Sequence, residues 1–137
     1  MSVTRVTPIL NVADVPASLQ WFESLGWTRA FSWNKGGAMS SGANSNEHGP
    51  ADFAGIRIGE VDIFLSRTGP ELRASGTYMS WWLSSPQEVD HLFARAKSLG
   101  YLISRDPFDA PWGVREFHLQ HPDGHIMRIG AELPCDR

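Results

Sequence analysis

A chain of 137 residues with 42% hydrophobic content has the length of a single domain with one packed core, since two independent domains of half that size would each be marginal. Twelve Lys and Arg against 15 Asp and Glu leave a formal net charge of −3, which supplies no basic patch for a phosphate backbone and argues against a nucleic-acid partner. With Cys135 as the only cysteine there is no intrachain disulfide; no basic start with an apolar core marks a signal peptide, and no apolar run is long enough for a bilayer.

These features predict a cytoplasmic protein with no membrane partner. In chain order, Thr4 to Val12 alternates as a strand, and Asp14 caps a helix with Pro16 in its first turn and Val15, Leu19, Phe22 and Leu25 on one face. Gly26 stops that helix. Strands follow over Thr28 to Trp33, Phe53 to Ile58 and Val61 to Ser66. Between them, 34–52 is rich in Gly, Ser, Asn and Ala and reads as a loop, either a functional lid or a tolerated insertion.

Tyr78 to Leu83 is again strand-like. Ser85-Pro86-Gln87-Glu88 is a capping box opening a helix whose stripe is Val89, Leu92, Phe93, Ala96 and Leu99, and Gly100 ends it. Leu102 to Arg105, Val114 to Gln120 and His125 to Ala131 complete the pattern, the last two joined by the turn His121-Pro122-Asp123-Gly124. The matching stops Leu25-Gly26-Trp27 and Leu99-Gly100-Tyr101 mark a duplicated β-α-β-β-β unit. The expected organisation is one domain, 1–137, of two modules at about 1–70 and 71–137.

Six Trp, seven Phe and two Tyr are a surplus that fits a dense core or an aromatic pocket. Trp21 and Phe22 fall in the core of the first helix. Trp81 and Trp82 are strand neighbours, so only one can face a pocket. His118, His121 and His125 do not converge across a strand, turn and strand, and no Cys completes a tetrahedral set, so they read as surface or turn residues. Arg115 and Glu116, adjacent on a strand, point to opposite faces.

Several stretches together resemble the vicinal oxygen chelate superfamily of glyoxalases, bleomycin resistance proteins and dioxygenases, and within it the bleomycin resistance proteins. They are Pro8-Ile9-Leu10, Ala13-Asp14-Val15, Asp52-Phe53-Ala54-Gly55, Ile63-Phe64-Leu65-Ser66, and Pro111-Trp112-Gly113-Val114-Arg115-Glu116-Phe117 leading to Pro122-Asp123-Gly124. The resemblance covers nearly the whole chain. It implies an α+β fold in which two β-α-β-β-β modules form a half-open, cup-shaped mixed sheet with helices outside.

Enzymes of that superfamily hold a divalent ion with His, Gln or Glu on the first and last strands of each module. The matching positions here carry Thr7, Tyr78, Phe64 and Arg128, none an ordinary metal ligand, and a fixed cation at Arg128 repels an ion. The resemblance therefore implies a binder with no metal, no cofactor and no catalytic residue. In the family's binders a homodimer forms two crevices in which a flat ligand stacks between aromatics, matched here by Phe53 and Trp112. Trp33, Tyr78 and Trp82 add wall, Ser66 matches a polar position, and Arg128 either meets an anionic group or pairs with Glu116 or Asp62. The expected partner is an aromatic or cationic small molecule, held as in drug sequestration. The alternative is a metal-dependent glyoxalase- or dioxygenase-type enzyme. Loop 34–52 is longer than its counterpart, and −3 is mild for a family of acidic binders.

Overall fold

The computed structural model describes residues 2–34, 40–41, 50–67 and 76–134. They fall into two compact units, Met1–Arg73 and Ala74–Arg137. The first contains β1 (Ile9–Asn11), α1 (Val15–Ser24), β2 (Thr28–Trp33), β3 (Ser40–Ser41), β4 (Phe53–Ile58) and β5 (Val61–Ser66). Its sheet runs β1-β5-β4-β2-β3, with β1 parallel to β5 and the remaining pairs antiparallel.

Helix α1 starts where Asp14 in extended conformation accepts the Ala17 N–H at 3.0 Å, satisfying a donor the helix itself cannot. Its buried stripe Val15, Leu19 and Phe22 packs on the sheet face formed by Ala54, Ile56, Ile63 and Leu65, all at 2% exposure or less. Burying a side chain such as Phe22 contributes on the order of 2 kcal/mol. The period of two in β4 and β5 sends Phe53, Gly55, Phe64 and Ser66 to the opposite face. There Phe31, Phe53 and Phe64 make a mutual trio with ring centroids 5.2 to 5.7 Å apart. The Phe31 ring lies directly on Gly55, where any Cβ would run into it. Gly55→Ala is expected to lower stability by about 1–3 kcal/mol through that clash. A urea midpoint unchanged from wild type would show that the ring swings away freely.

The second unit contains β6 (Tyr78–Trp82), α2 (Pro86–Ser98), β7 (Leu102–Asp109), β8 (Val114–Gln120) and β9 (Ile126–Glu132), with sheet order β6-β9-β8-β7. Only β6 and β9 are parallel. Ser85 caps α2 by accepting from the Glu88 N–H at 3.3 Å. The return arm of the box reaches one residue further back than the motif implies: Glu88 accepts from the Ser84 N–H at 3.2 Å and from the Ser84 hydroxyl. Phe117, Leu119, Met127 and Ile129 are fully buried and, with Val89 and Ala96 of α2, make the core; Phe93 meets Phe117 edge-on at 5.5 Å.

Each unit thus has the β-α-β-β-β order and the mixed sheet of the expected α+β class, with β3 an addition. That addition is a correction, because Ser40 and Ser41 fall inside the expected loop and pair with Ser32 and Phe31 without any apolar pattern to announce it. The rest of that loop, 35–39 and 42–49, lies outside the described residues. Strand β1 starts at Ile9 rather than Thr4: Pro8 accepts from the Phe64 N–H but has no N–H of its own to continue the ladder. Strand β7 runs to Asp109, four residues past its expected end, because an edge strand tolerates Pro107 and two register shifts absorb it. Leu99 is 41% exposed, not part of the α2 stripe, since it stands beyond the last turn over the sheet. No helix among the described residues is long and apolar enough to cross a membrane.

Candidate functional site

On the face of the second sheet away from α2, alternation brings Glu116 and His118 of β8 beside Arg128 of β9 and Arg105 of β7. The register pairs His118 with Arg105 on one side and Arg128 on the other, and Arg128 with Ser80 beyond. Trp112 reaches this face from the β7–β8 hairpin. In that turn Pro111 supplies the fixed φ of the first corner, the Gly113 N–H returns to Ala110 O at 3.0 Å, and Gly113 takes φ +87°, a value costly for any other residue. The residue before that glycine is therefore held out from the sheet: Trp112 is 58% exposed.

These elements enclose an open concavity of about 460 Å³ lined by Tyr78, Arg105, Trp112, Glu116, His118 and Arg128. The Glu116 carboxylate, 3% exposed, accepts from Arg128 Nε at 3.2 Å and from Nη2 at 2.8 and 3.1 Å. That hydrogen bonding raises the Arg128 pKa further above its ordinary value and keeps the guanidinium charged. Its central carbon lies 5.9 Å from the Tyr78 ring and 6.0 Å from the Trp112 ring, so the cation sits between two aromatic walls. The Arg105 guanidinium stacks 3.6 Å over Phe108, whose ring is 6.3 Å from both Trp112 and His118. Burial lowers the His118 pKa, against the opposing pull of Glu116 with its Oε1 3.7 Å from Nε2, so the imidazole is neutral at pH 7.

Of the residues expected from sequence, Tyr78, Trp112 and Arg128 meet in this concavity. Trp82, 64% exposed, lines an adjoining small recess with Ser80, Glu116 and Arg128. Trp33, Phe53 and Ser66 belong to the first unit, where they stand side by side across β2, β4 and β5. Phe53 there is a member of the phenylalanine trio. Arg128 pairs with Glu116, whereas Asp62 is engaged by Arg57 at 2.8 and 3.0 Å and by Arg5 at 3.4 Å. Arg115 turns to the opposite face and bridges Asp90 of α2 and Asp109.

Sequence reasoning missed Arg105 and Phe108, and took His118, which lines the concavity, for a surface or turn residue. Their only signal was position on β7 and β8, and it becomes readable once the bulged register is known. Of the reading of His121 and His125 as surface or turn residues, the turn is as expected and the surface is corrected: they flank the turn but are 1% and 4% exposed, with Nδ1 atoms accepting from the Asp123 and Thr77 N–H groups at 3.0 and 2.8 Å. The turn they flank folds back so that their rings lie 5.4 Å apart beneath it.

The side chains of the concavity do not fit a divalent ion. Glu116 and His118 are its two metal-type donors, and both Glu116 oxygens are taken up by a guanidinium that would repel the ion. Among the described residues no three His, Cys, Asp or Glu side chains come together as a ligand set.

The fold and this sheet face define a β-α-β-β-β protein whose second unit carries an open, aromatic-walled concavity. The family model for the Glyoxalase/Bleomycin resistance protein/Dioxygenase superfamily matches residues 3–129, and the chain belongs to that superfamily. No curated protein matches the sequence. Among solved structures, TioX from Micromonospora sp. ML1 superimposes with a TM-score of 0.74 at 20% identity, over 96% of this chain and 100% of that one. A superfamily protein from Nocardioides gives 0.69 at 23% identity, over 99% and 89%. The genomically encoded fosfomycin resistance protein FosX from Listeria monocytogenes gives 0.70 at 16%, over 96% and 94%. At these identities the likeness is one of fold.

Proposed function

We propose that this protein is a small-molecule-binding member of the superfamily that sequesters an aromatic compound, such as an antibiotic, without a metal or chemistry. One observation carries the reading: Tyr78 and Trp112 present exposed rings on either side of a concavity whose acid and base, Glu116 and Arg128, are already bound to each other. Large aromatic faces left in water are costly unless a ligand covers them. A carboxylate fully engaged by a guanidinium is also poorly placed to move a proton or hold an ion. The fosfomycin resistance named for FosX is consistent with drug handling on this fold.

As in the binders the sequence resembles, the functional unit in this reading is a cytoplasmic homodimer, and Phe53, Trp33 and Ser66 on the sheet of the first unit are ligand-contacting residues by the same resemblance. The charge of the concavity gives less support to a cationic ligand, since Arg105 and Arg128 outweigh Glu116. Calorimetry against bleomycins and other planar drugs is expected to find a ligand whose affinity Trp112→Ala lowers by about 1 kcal/mol or more, and EDTA leaves unchanged. Equal affinity in wild type and variant removes the stacking role, and a monomer by light scattering removes the dimer.

A further inference from the structure

Resting on that reading, we infer that the ligand is an aromatic anion, a planar ring system bearing a carboxylate, which Arg105 and His118 recognise while Trp112 and Tyr78 cover the ring. Arg105 and Arg128 face one carboxylate, Glu116, and burial keeps His118 neutral, so the concavity carries one unbalanced positive charge within a chain of net charge −3. An excess of the opposite sign confined to one cleft focuses its field on an incoming anion.

The two cations are not equivalent. Arg128 uses Nε and Nη2 on Glu116 and is committed to it. Arg105 makes no ion pair or hydrogen bond among the described residues; what orders it is the face of Phe108, 3.6 Å away. A guanidinium stacked on a ring has its planar fork of N–H donors fixed in direction at no cost to those donors, the arrangement that receives a carboxylate through two parallel hydrogen bonds. His118, paired with Arg105 across β7 and β8, adds a second unsatisfied polar group. Its Nε2 is buried without a hydrogen-bond partner among the described residues. A buried polar atom of this kind is expected to be met by a partner, and a ligand oxygen beside Arg105 would supply it.

The ring has its own place. Trp112 stands 6.3 Å edge-on from Phe108, so an aromatic acid whose carboxylate meets Arg105 lies along the wall that Phe108 and Trp112 form. The volume of about 460 Å³ accommodates a fused two-ring system.

The test uses the full chain and three shape-matched probes: 2-naphthoate, 2-naphthamide and 2-naphthylmethylammonium, titrated by calorimetry at one ionic strength. The acid is expected to bind about tenfold tighter than the amide, and the ammonium weaker than either. Arg105→Gln should bring the acid down to the amide's affinity and leave the amide unchanged. Trp112→Ala should weaken all three. Urea unfolding of Arg105→Gln, expected to match wild type because Arg105 makes no ion pair among the described residues, separates lost recognition from lost folding. If the amide and ammonium bind as well as the acid, or the acid keeps its advantage in Arg105→Gln, the anion assignment is overturned while the aromatic site stands. If none of the three binds, the ligand-site reading falls with it.

Discussion

Arg128→Met is expected to destabilise the protein by about 2–3 kcal/mol, and Glu116→Gln by roughly 1 kcal/mol. The asymmetry follows from exposure. Glu116 is 3% exposed, so removing its partner strands a carboxylate that water cannot reach, whereas Arg128, 31% exposed in the pair, can rehydrate when Glu116 is neutralised. The cost lies toward the low end for buried pairs because part of the guanidinium already meets solvent. The double variant Glu116→Leu with Arg128→Met should lose less than the two single losses added together, because both desolvated groups leave at once. Urea unfolding at pH 7 reads all three. Equal costs for the two single variants, or strict additivity, would mean that the pair is no more than a surface ion bridge. The measurement also bears on function, since a structural pair of this strength is unavailable as a proton carrier.

Acid should weaken the fold through His121. Burial pushes this imidazole down to about 4, with the nearby Asp123 pulling it up and His125 pushing it down. Its Nδ1 accepts the Asp123 N–H in the turn, so the neutral form is the one the fold uses. In the unfolded chain the group titrates near 6.5, and between that value and about 4 the unfolded state binds the proton and the folded state does not. The stabilisation is therefore complete above about pH 6.5 and is lost as pH falls toward about 4. The difference is worth roughly 3 kcal/mol. His121→Asn keeps an acceptor near the Nδ1 position and removes the titration, so its stability should vary less over that range. A wild-type stability flat from pH 6.5 to 4.5 would show that the buried imidazole titrates normally.

How far the sequence led differs between scaffold and site. Helix caps at Asp14 and Ser85, the stops at Gly26 and Gly100, and the strands Thr28–Trp33, Phe53–Ile58, Val61–Ser66 and Val114–Gln120 were legible because each depends on neighbours within a few residues. The turn that projects Trp112 is as local, a Pro-Trp-Gly run with the glycine at positive φ, but along the chain it was read only as a motif of the resembled family. From those elements the duplicated module followed, whereas the lack of ordinary metal ligands at Thr7, Phe64, Tyr78 and Arg128 was what the superfamily resemblance implied. Composition and charge alone turned attention away from nucleic acid.

Tertiary structure decided what depends on residues distant in sequence. Whether Arg128 serves a ligand or a partner could not be read along the chain, because Glu116 and Asp62 were equally available; a shared sheet face gave it to Glu116. Arg105, Phe108 and His118 came together on one face through two register shifts in β7, and a bulge reverses which face a residue occupies while leaving little trace in an edge strand. The burial of His121 and His125 was equally beyond the sequence, since burial is set by what folds over a turn and not by the turn itself. Periodicity specifies which residues share an element. The charges they meet, and so the ligand they suit, are set only when strands from opposite ends of the module lie side by side.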